Sequence, residues 1–395
     1  MTVSATQCAA GTARVIDDLG GIEEIRSAWN SWRGHRDADV DVYETVLASR
    51  GDAAKPHIIV VEREGRPDAL MVGMTTIATV SERIGYWTIP VPQVRVLSFQ
   101  YGGFLGNQSD ENSEVILNEI EQSLRGGDAD VAILSYLWEG TPLHRVATRG
   151  RSILMRDHFP TSHSHSLMTL PDRVDEIYGK LSSEHRWRLR RDAKRFRAAF
   201  ADLKVARFDC PEQLEVLIRD TEKVAATTYQ RGLGVGFSDS RPIRDLLSLE
   251  ARKRWLRGYL LYLGENPCAF WIGCVYNGVF LSEYLGHDPF YAKYSPGTYL
   301  LTHVMEDLCR DGVAAIDFGI GEALYKQRFG HSTWQETEIY LYAPTWRGMR
   351  VKTIRAAAAV TNKVGKRVLE RVHVADWIKK MWRRRVAHSQ PPERH

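Results

Sequence analysis

Two short stretches hold most of the residues that could do chemistry. The first is Ser295-Pro296-Gly297-Thr298. Proline at a helix start has no amide hydrogen to leave unpaired, and glycine lets a ligand come close to the backbone. The next amides point out of the positive end of the helix dipole. Such a start suits an anion, a phosphate above all, although a plain helix start uses the same residue types. The second runs from Asp317 through Phe318-Gly319-Ile320-Gly321-Glu322 to Tyr325, Lys326, Arg328 and Gly330. An apolar strand ends in an acid and two glycines, and a short helix follows. Ligands of α/β sheets collect beyond strand C-termini. Asp317 can fix backbone amides or a substrate amine, or cap its own turn as an Asx motif. Tyr325 can give a proton to a leaving group. Glu322, Lys326 and Arg328 can face a substrate or merely solvent.

The elements that must position these residues follow from periodicity. Residues 21–50 read as helical, with strands at 57–63, 69–78 and 94–99. An amphipathic helix at 113–125 leads to a strand at 131–137. Residues 149–171, rich in His, Ser and turn formers, read as a connector. A helix capped by Ser182 or Ser183 runs to about Phe200. A strand at 204–208 and a long helix at 212–228 come next, then strands at 258–263, 268–276 and 279–286. A helix at 298–310, a strand at 313–318, a short helix at 322–329 and a strand at 337–343 complete the body. The order suits a mixed central sheet flanked by helices.

The chain also repeats itself. VEREGRPDALMVG at 61–73 and LYLGENPCAFWIG at 261–273 match at an offset of 200, with Pro67 against Pro267, Ala69 against Ala269 and Gly73 against Gly273. Each reads as strand, tight turn, strand, and each leads on to a helix and a short apolar strand. Two copies of one α/β unit are expected: residues 1–165, residues 166–345, and a separate tail over 346–395. The tail holds 14 Lys/Arg against 3 Asp/Glu, a balance of +11. The net charge of +4 therefore leaves −7 on the rest, so the basic character belongs to the C-terminus. Val360, Val364, Val368 and Val372 recur every four residues, and Trp377 and Trp382 follow. That is the make-up of a basic amphipathic helix on an anionic membrane, or of one packed on the protein's own body.

Cys8, Cys210, Cys268, Cys274 and Cys309 show no zinc or redox spacing, which fits a reducing cytoplasm. No basic segment with an apolar run opens the chain, and no run nears the ~20 residues that span a bilayer. His163 and His165 form a His-x-His pair, but a metal needs a further partner and none is near in sequence. No metal is expected.

Pro-Gly before a helix, then Asp-Phe-Gly-x-Gly-Glu and Tyr-Lys-x-x-Phe-Gly, resembles the GNAT superfamily. More narrowly it is similar to the acetyltransferases of the cellulose-biosynthesis CelD type, related to the Fem peptidyltransferases. The resemblance covers roughly residues 10–345 and is strongest over 180–330. It implies tandem GNAT-like units, the second one catalytic. It further implies an N-acyltransferase that moves an acyl group from acetyl-CoA or another acyl-CoA to an amine of a small molecule or glycan precursor, as in exopolysaccharide synthesis. Ser295, Gly297 and Thr298 would bind the pyrophosphate, although only Gly297 remains of the usual Gln/Arg-x-x-Gly-x-Gly/Ala signature. Tyr325 would protonate the departing thiolate. Glu283 or His287 stands where a base for the acceptor would be, with Asp317 and Glu322 next. Tyr229 and Arg231 would touch the acceptor. CelD-like proteins carry a basic helix where Arg186, Arg190, Lys194 and Arg197 form a stripe here, able to gather a phosphorylated acceptor or the CoA tail. Two alternatives remain: a Fem-like transferase using aminoacyl-tRNA, and a non-catalytic scaffold for polysaccharide synthesis at the inner membrane face. Nucleic acid other than tRNA is not expected.

Overall fold

The computed structural model describes residues 11–372, except 85, 86, 90, 150, 151, 180, 229, 230 and 232–235. Contacts divide the chain into two units. The first runs to His163 and resumes at Gln335; the second is Ser164–Trp334.

The first unit begins with β1 (Thr12–Ile16), α1 (Leu19–Ser31), α2 (Val40–Arg50), β2 (Ala54–Pro56), β3 (Ile58–Arg63) and β4 (Arg66–Thr79). A small hairpin, β5 (Glu82–Ile84) and β6 (Trp87–Ile89), precedes β7 (Gln93–Gly106), α3 (Asp110–Gly126), β8 (Val131–Trp138) and α4 (Pro142–Arg149). The stretch expected as helical over 21–50 is two helices. Trp32 ends the first in extended backbone, and Asp39 caps the second by accepting the amides of Asp41 and Val42.

The second unit is built of β9 (Thr161–Thr169), α5 (Ser183–Ala199), β10 (Leu203–Phe208), α6 (Leu214–Ala225), α7 (Arg241–Arg252), β11 (Leu256–Leu263), β12 (Asn266–Tyr276) and β13 (Val279–His287). Then come α8 (Pro296–Arg310), β14 (Ala315–Ile320) and α9 (Leu324–Phe329). The chain ends its described part with β15 (Ser332–Tyr342) and α10 (Trp346–Val372).

The sheet is mixed within each unit. In the first unit β1, β3, β4, β7, β8 and β15 neighbour one another in that order; in the second the order is β9, β14, β13, β12, β11, β10. Among the described strand pairs, β7–β8 and β13–β14 are parallel, each joined by a crossover helix. The last strand of each sheet is exchanged. β9 follows α4 of the first unit but pairs with β14, Leu167 opposite Asp317. β15 follows α9 of the second but pairs with β8, Ile339 opposite Leu134. The boundaries therefore differ from those expected: most of β15, placed in the second unit by sequence, belongs to the sheet of the first. The residues read as a connector over 149–171 supply a strand instead.

The repeat holds at the level of register. Val61 faces Ala69 and Glu62 faces Pro67; Leu261 faces Ala269 and Tyr262 faces Pro267. Each hairpin has its bulge at the same place, after Val61 and after Leu261. The matching glycines share one physical reason. A Cβ on Gly73 would stand 2.7 Å from the Phe99 ring and 2.9 Å from the His57 carbonyl; one on Gly273 would stand 2.1 Å from the Leu281 carbonyl.

Apolar runs such as IIVV at 58–61 mark strands buried on both faces. Ile58 and Val60 pack beneath α1 and α2 with Ile22, Trp29 and Tyr43, while Ile59 and Val61 face α3. In the second unit Tyr259, Leu261 and Trp271 pack with Val304 and Leu308 of α8, and Leu260, Phe270 and Ile272 pack with Leu217 and Leu247 of α6 and α7.

One feature opens each sheet. β13 and β14 are hydrogen-bonded only from Val279–Leu281 to Ala315–Asp317, yet β13 runs on to His287 and β14 to Ile320. In the first unit β7 and β8 likewise pair only over Val96–Phe99 and Val131–Leu134. The tail is not wholly separate: α10 begins packed on the first unit. Val351 and Ala358 are buried. Arg355 pairs with Glu82 and donates to the Tyr342 hydroxyl at 3.0 Å. Residues 373–395, with Trp377 and Trp382, lie outside the described residues.

Candidate active site

The site forms where β13 and β14 part. Ser295 enters α8 in the left-handed region (φ 58°) and caps it with no side-chain hydrogen bond, and no acidic residue stands in the first turn. Pro296 has no amide hydrogen, and Tyr299 N already donates to the Ser295 carbonyl at 3.1 Å. The amides of Gly297 and Thr298 are thus the ones a helix start leaves for a ligand. The corresponding helix of the first unit is closed to an anion. Ser109 accepts from Asn112 N, Asp110 and Glu111 fill the first turn, and the Asp68 carboxylate accepts from the side chains of Asn107 and Asn112 at 3.0 and 2.7 Å. Basic residues border the second start: Arg195 of α5 donates to the Lys293 carbonyl, and Arg197 Nε to the Tyr299 hydroxyl at 3.2 Å. At the first start the nearby arginines are taken up by acids, Arg63 by Asp68 and Arg145 by Asp110.

Beside this start a small cavity is lined by Trp271, Leu285, His287, Gly297, Leu301 and Tyr325, among others. Three residues singled out by sequence, His287, Gly297 and Tyr325, therefore meet. Tyr325 is half-buried and stands edge-on to Phe318 at 5.5 Å; Phe318 in turn stacks on Trp271. The protein around His287 lowers its pKa below the ordinary value of 6.5, with Asp288 opposing. Its imidazole is neutral near pH 7 and able to take a proton.

Other candidates fall elsewhere. Asp317, on β14 at the parting point, accepts from Gly319 N at 2.7 Å, the Asx turn that its sequence allows. The same oxygen lies 2.6 Å from His165 Nε2. Lys326 does not face solvent: its ammonium is buried and donates to the carbonyls of Gly319 (3.1 Å) and Ile320 (2.7 Å). Burial lowers its pKa, against the pull of Asp317. Glu283 sits apart from His287. It is the bulged residue of β13, and its carboxylate lies with those of Glu250 and the Cys274 thiol, one atom of each within 4.8 Å of the others. That trio, of metal-ligand types, was not visible in sequence spacing. Arg186 turns back to the carbonyls of Leu181 (2.7 Å) and Tyr178 (3.4 Å), while Arg190, Glu322 and Arg328 are exposed. Arg231 is held by Glu222 and the Phe237 carbonyl; Tyr229 lies outside the described residues. His163 and His165 do not act as a pair: His163 stands edge-on to Tyr136 in the first unit, and His165 stacks on Trp334 in the second. The contact of His165 with Asp317 was missed because His-x-His prompts a metal reading. Arg195 was missed because every position of a basic helix looks alike.

Residues 183–327 match the model of an acetyltransferase (GNAT) domain. No curated protein matches the chain. Among solved structures, FemX shares 11% identity, with 83% of this chain and 96% of FemX covered, at a TM-score of 0.52. The C-terminal DUF2156 domain of a putative lysylphosphatidylglycerol synthetase from Agrobacterium fabrum also shares 11%, covering 86% and 95%, at a TM-score of 0.50. The chain thus has the acyltransferase fold of the GNAT class; at these identities the likeness concerns fold alone.

Proposed function

We propose that the second unit is an N-acyltransferase that carries an acyl group from an acyl-CoA thioester to an amine. One observation carries this reading: His287, Gly297 and Tyr325 share a cavity at an uncapped helix start between parted strands. The amides of Gly297 and Thr298 would hold the pyrophosphate. The acceptor amine would attack the thioester carbonyl, and backbone amides would stabilise the oxyanion. Neutral His287 would take the amine proton, directly or through one water, and Tyr325 would protonate the leaving thiolate. The acceptor, by resemblance, would be an amino sugar or another envelope or exopolysaccharide precursor.

A second reading, aminoacyl-tRNA as donor, draws on α5. This helix carries seven Lys/Arg between Arg186 and Arg197, and FemX shares the fold. Thermal melting with acetyl-CoA, CoA and tRNA separates the readings. A ligand at 100 times its Kd stabilises by about 2.7 kcal/mol. A rise with acetyl-CoA and CoA supports the first reading, and a rise with tRNA alone supports the second. No rise with any of them leaves the scaffold reading.

A further inference from the structure

We infer that His165 is a positioning residue of the transfer site, one that holds the helix bearing Tyr325; this rests on the acyltransferase reading above. α9 has six residues, too short to hold itself in water. Phe329 anchors it in the core, and the exchanged strand β9 supplies contacts at both of its ends. Before the helix, His165 Nε2 meets Asp317 Oδ1 at 2.6 Å, that oxygen also accepts from Gly319 N, and Gly321 N donates to the Ser164 carbonyl at 2.9 Å. After it, His331 N donates to the Leu167 carbonyl at 2.8 Å, and Ser166 packs so near Gly330 that a Cβ there would stand 3.4 Å from its own. Lys326 closes the loop on the Gly319 and Ile320 carbonyls.

Among these contacts the His165–Asp317 bond joins two side chains, so substituting His165 removes it without altering backbone pairing. His165 is itself fixed. It is 2% exposed and its ring stacks on Trp334 with centroids 4.4 Å apart and planes 13° from parallel. A fixed imidazole bonded to Asp317 sets the carboxylate, the carboxylate sets the Gly319 turn, and the turn sets where α9 begins. The donor start at α8 has no part in this chain of contacts.

Three variants test it. His165→Ala removes the bond, His165→Gln keeps a donor near the position of Nε2, and Trp334→Ala removes the stack. Hydrogen exchange at Gly319 and over 321–331 should quicken in His165→Ala. Turnover with acetyl-CoA should fall by about 10²-fold, the cost of roughly 1 Å of misplacement, while the Michaelis constant for the donor stays near wild type. His165→Gln should restore most of both, and Trp334→Ala should fall between. Wild-type exchange and turnover in a folded His165→Ala overturn the inference. If the wild type neither binds nor turns over acetyl-CoA, the acyltransferase reading fails instead, and exchange still decides whether His165 holds the helix.

Discussion

The imidazole of His287 lies over Gly297, so near that a Cβ on that glycine would stand 3.4 Å from Nδ1. A neutral base and the uncapped start of α8 therefore occupy one corner of the cavity. Gly297→Glu would bring bulk and negative charge to both. Acyl-CoA binding should be lost or fall by at least 10²-fold, whereas Gly297→Ala, at the tight edge of ordinary contact, should weaken it mildly. Calorimetry on the folded variants decides, and unchanged affinity in the Glu variant would remove the phosphate from this helix.

Tyr325→Phe keeps the edge-on contact with Phe318 and loses only the hydroxyl. A general acid contributes about 10²–10⁴-fold. Turnover should fall by that order, with the donor Michaelis constant nearly unchanged. A Phe variant as active as wild type across the pH range makes Tyr325 a packing residue.

The His287 ring titrates below 6.5 because the folded protein disfavours its charged form. A base must be neutral, so kcat/KM should be flat near pH 7 and fall as pH drops through that lowered pKa. His287→Gln should lose this limb along with activity. The sign for stability is the same. The folded state binds fewer protons than the unfolded one below 6.5, so stability from His287 is full above 6.5 and lost as pH falls. His57, buried beside Ser123 in the first unit and lowered by the same cause, adds to that acid loss. A variant whose acid limb keeps its wild-type midpoint without His287 assigns the base elsewhere.

The repeated hairpins were legible in sequence because their registers rest on local signals: Pro67 and Pro267 at matching turn positions, Gly73 and Gly273 where no side chain fits. Gly273→Ala tests the point. Its Cβ would meet a backbone carbonyl at 2.1 Å, which no rotamer change relieves, so the loss should be about 1–3 kcal/mol or more. Denaturant unfolding measures it, and a loss below about 0.5 kcal/mol would refute the packing account. The strand exchange was not legible. TSHSHSLMT at 161–169 is polar and His-rich, and nothing within it says that Leu167 will face Asp317 some 150 residues away. Pairing partners are a long-range property, whereas composition is local. Lys326 misled for a similar reason: helical spacing gives a residue's face but not whether its ammonium finds two carbonyls. Glu283 was a candidate base alongside His287 because both lie on β13, but Glu283 is the bulged residue and its carboxylate lies by Glu250 instead.

The C-terminal segment now divides into two physical parts. From Trp346 to Ala358 the helix is structural: Val351 joins the apolar cluster with Val131 and Tyr342, and Arg355 lies over the Tyr340 ring at 3.4 Å. Beyond it Val360 and Val364 are exposed, and residues 373–395 add six Lys/Arg against two acids. No helix among the described residues is long and apolar enough to cross a membrane. If the segment meets an anionic surface, it does so by charge and partial insertion, at ~1 kcal/mol per basic residue that reaches it, and salt weakens it. Removing residues 346–395 should therefore unfold or aggregate the first unit, whereas removing only 373–395 should leave melting and acyl transfer to a soluble amine intact. The shorter truncation should lose most binding to phosphatidylglycerol vesicles, measured by co-sedimentation at two salt concentrations. Full-length protein that stays in the supernatant at low salt ends the membrane reading. A soluble, normally melting 346–395 deletion would show that the packed half of the helix adds nothing to the fold.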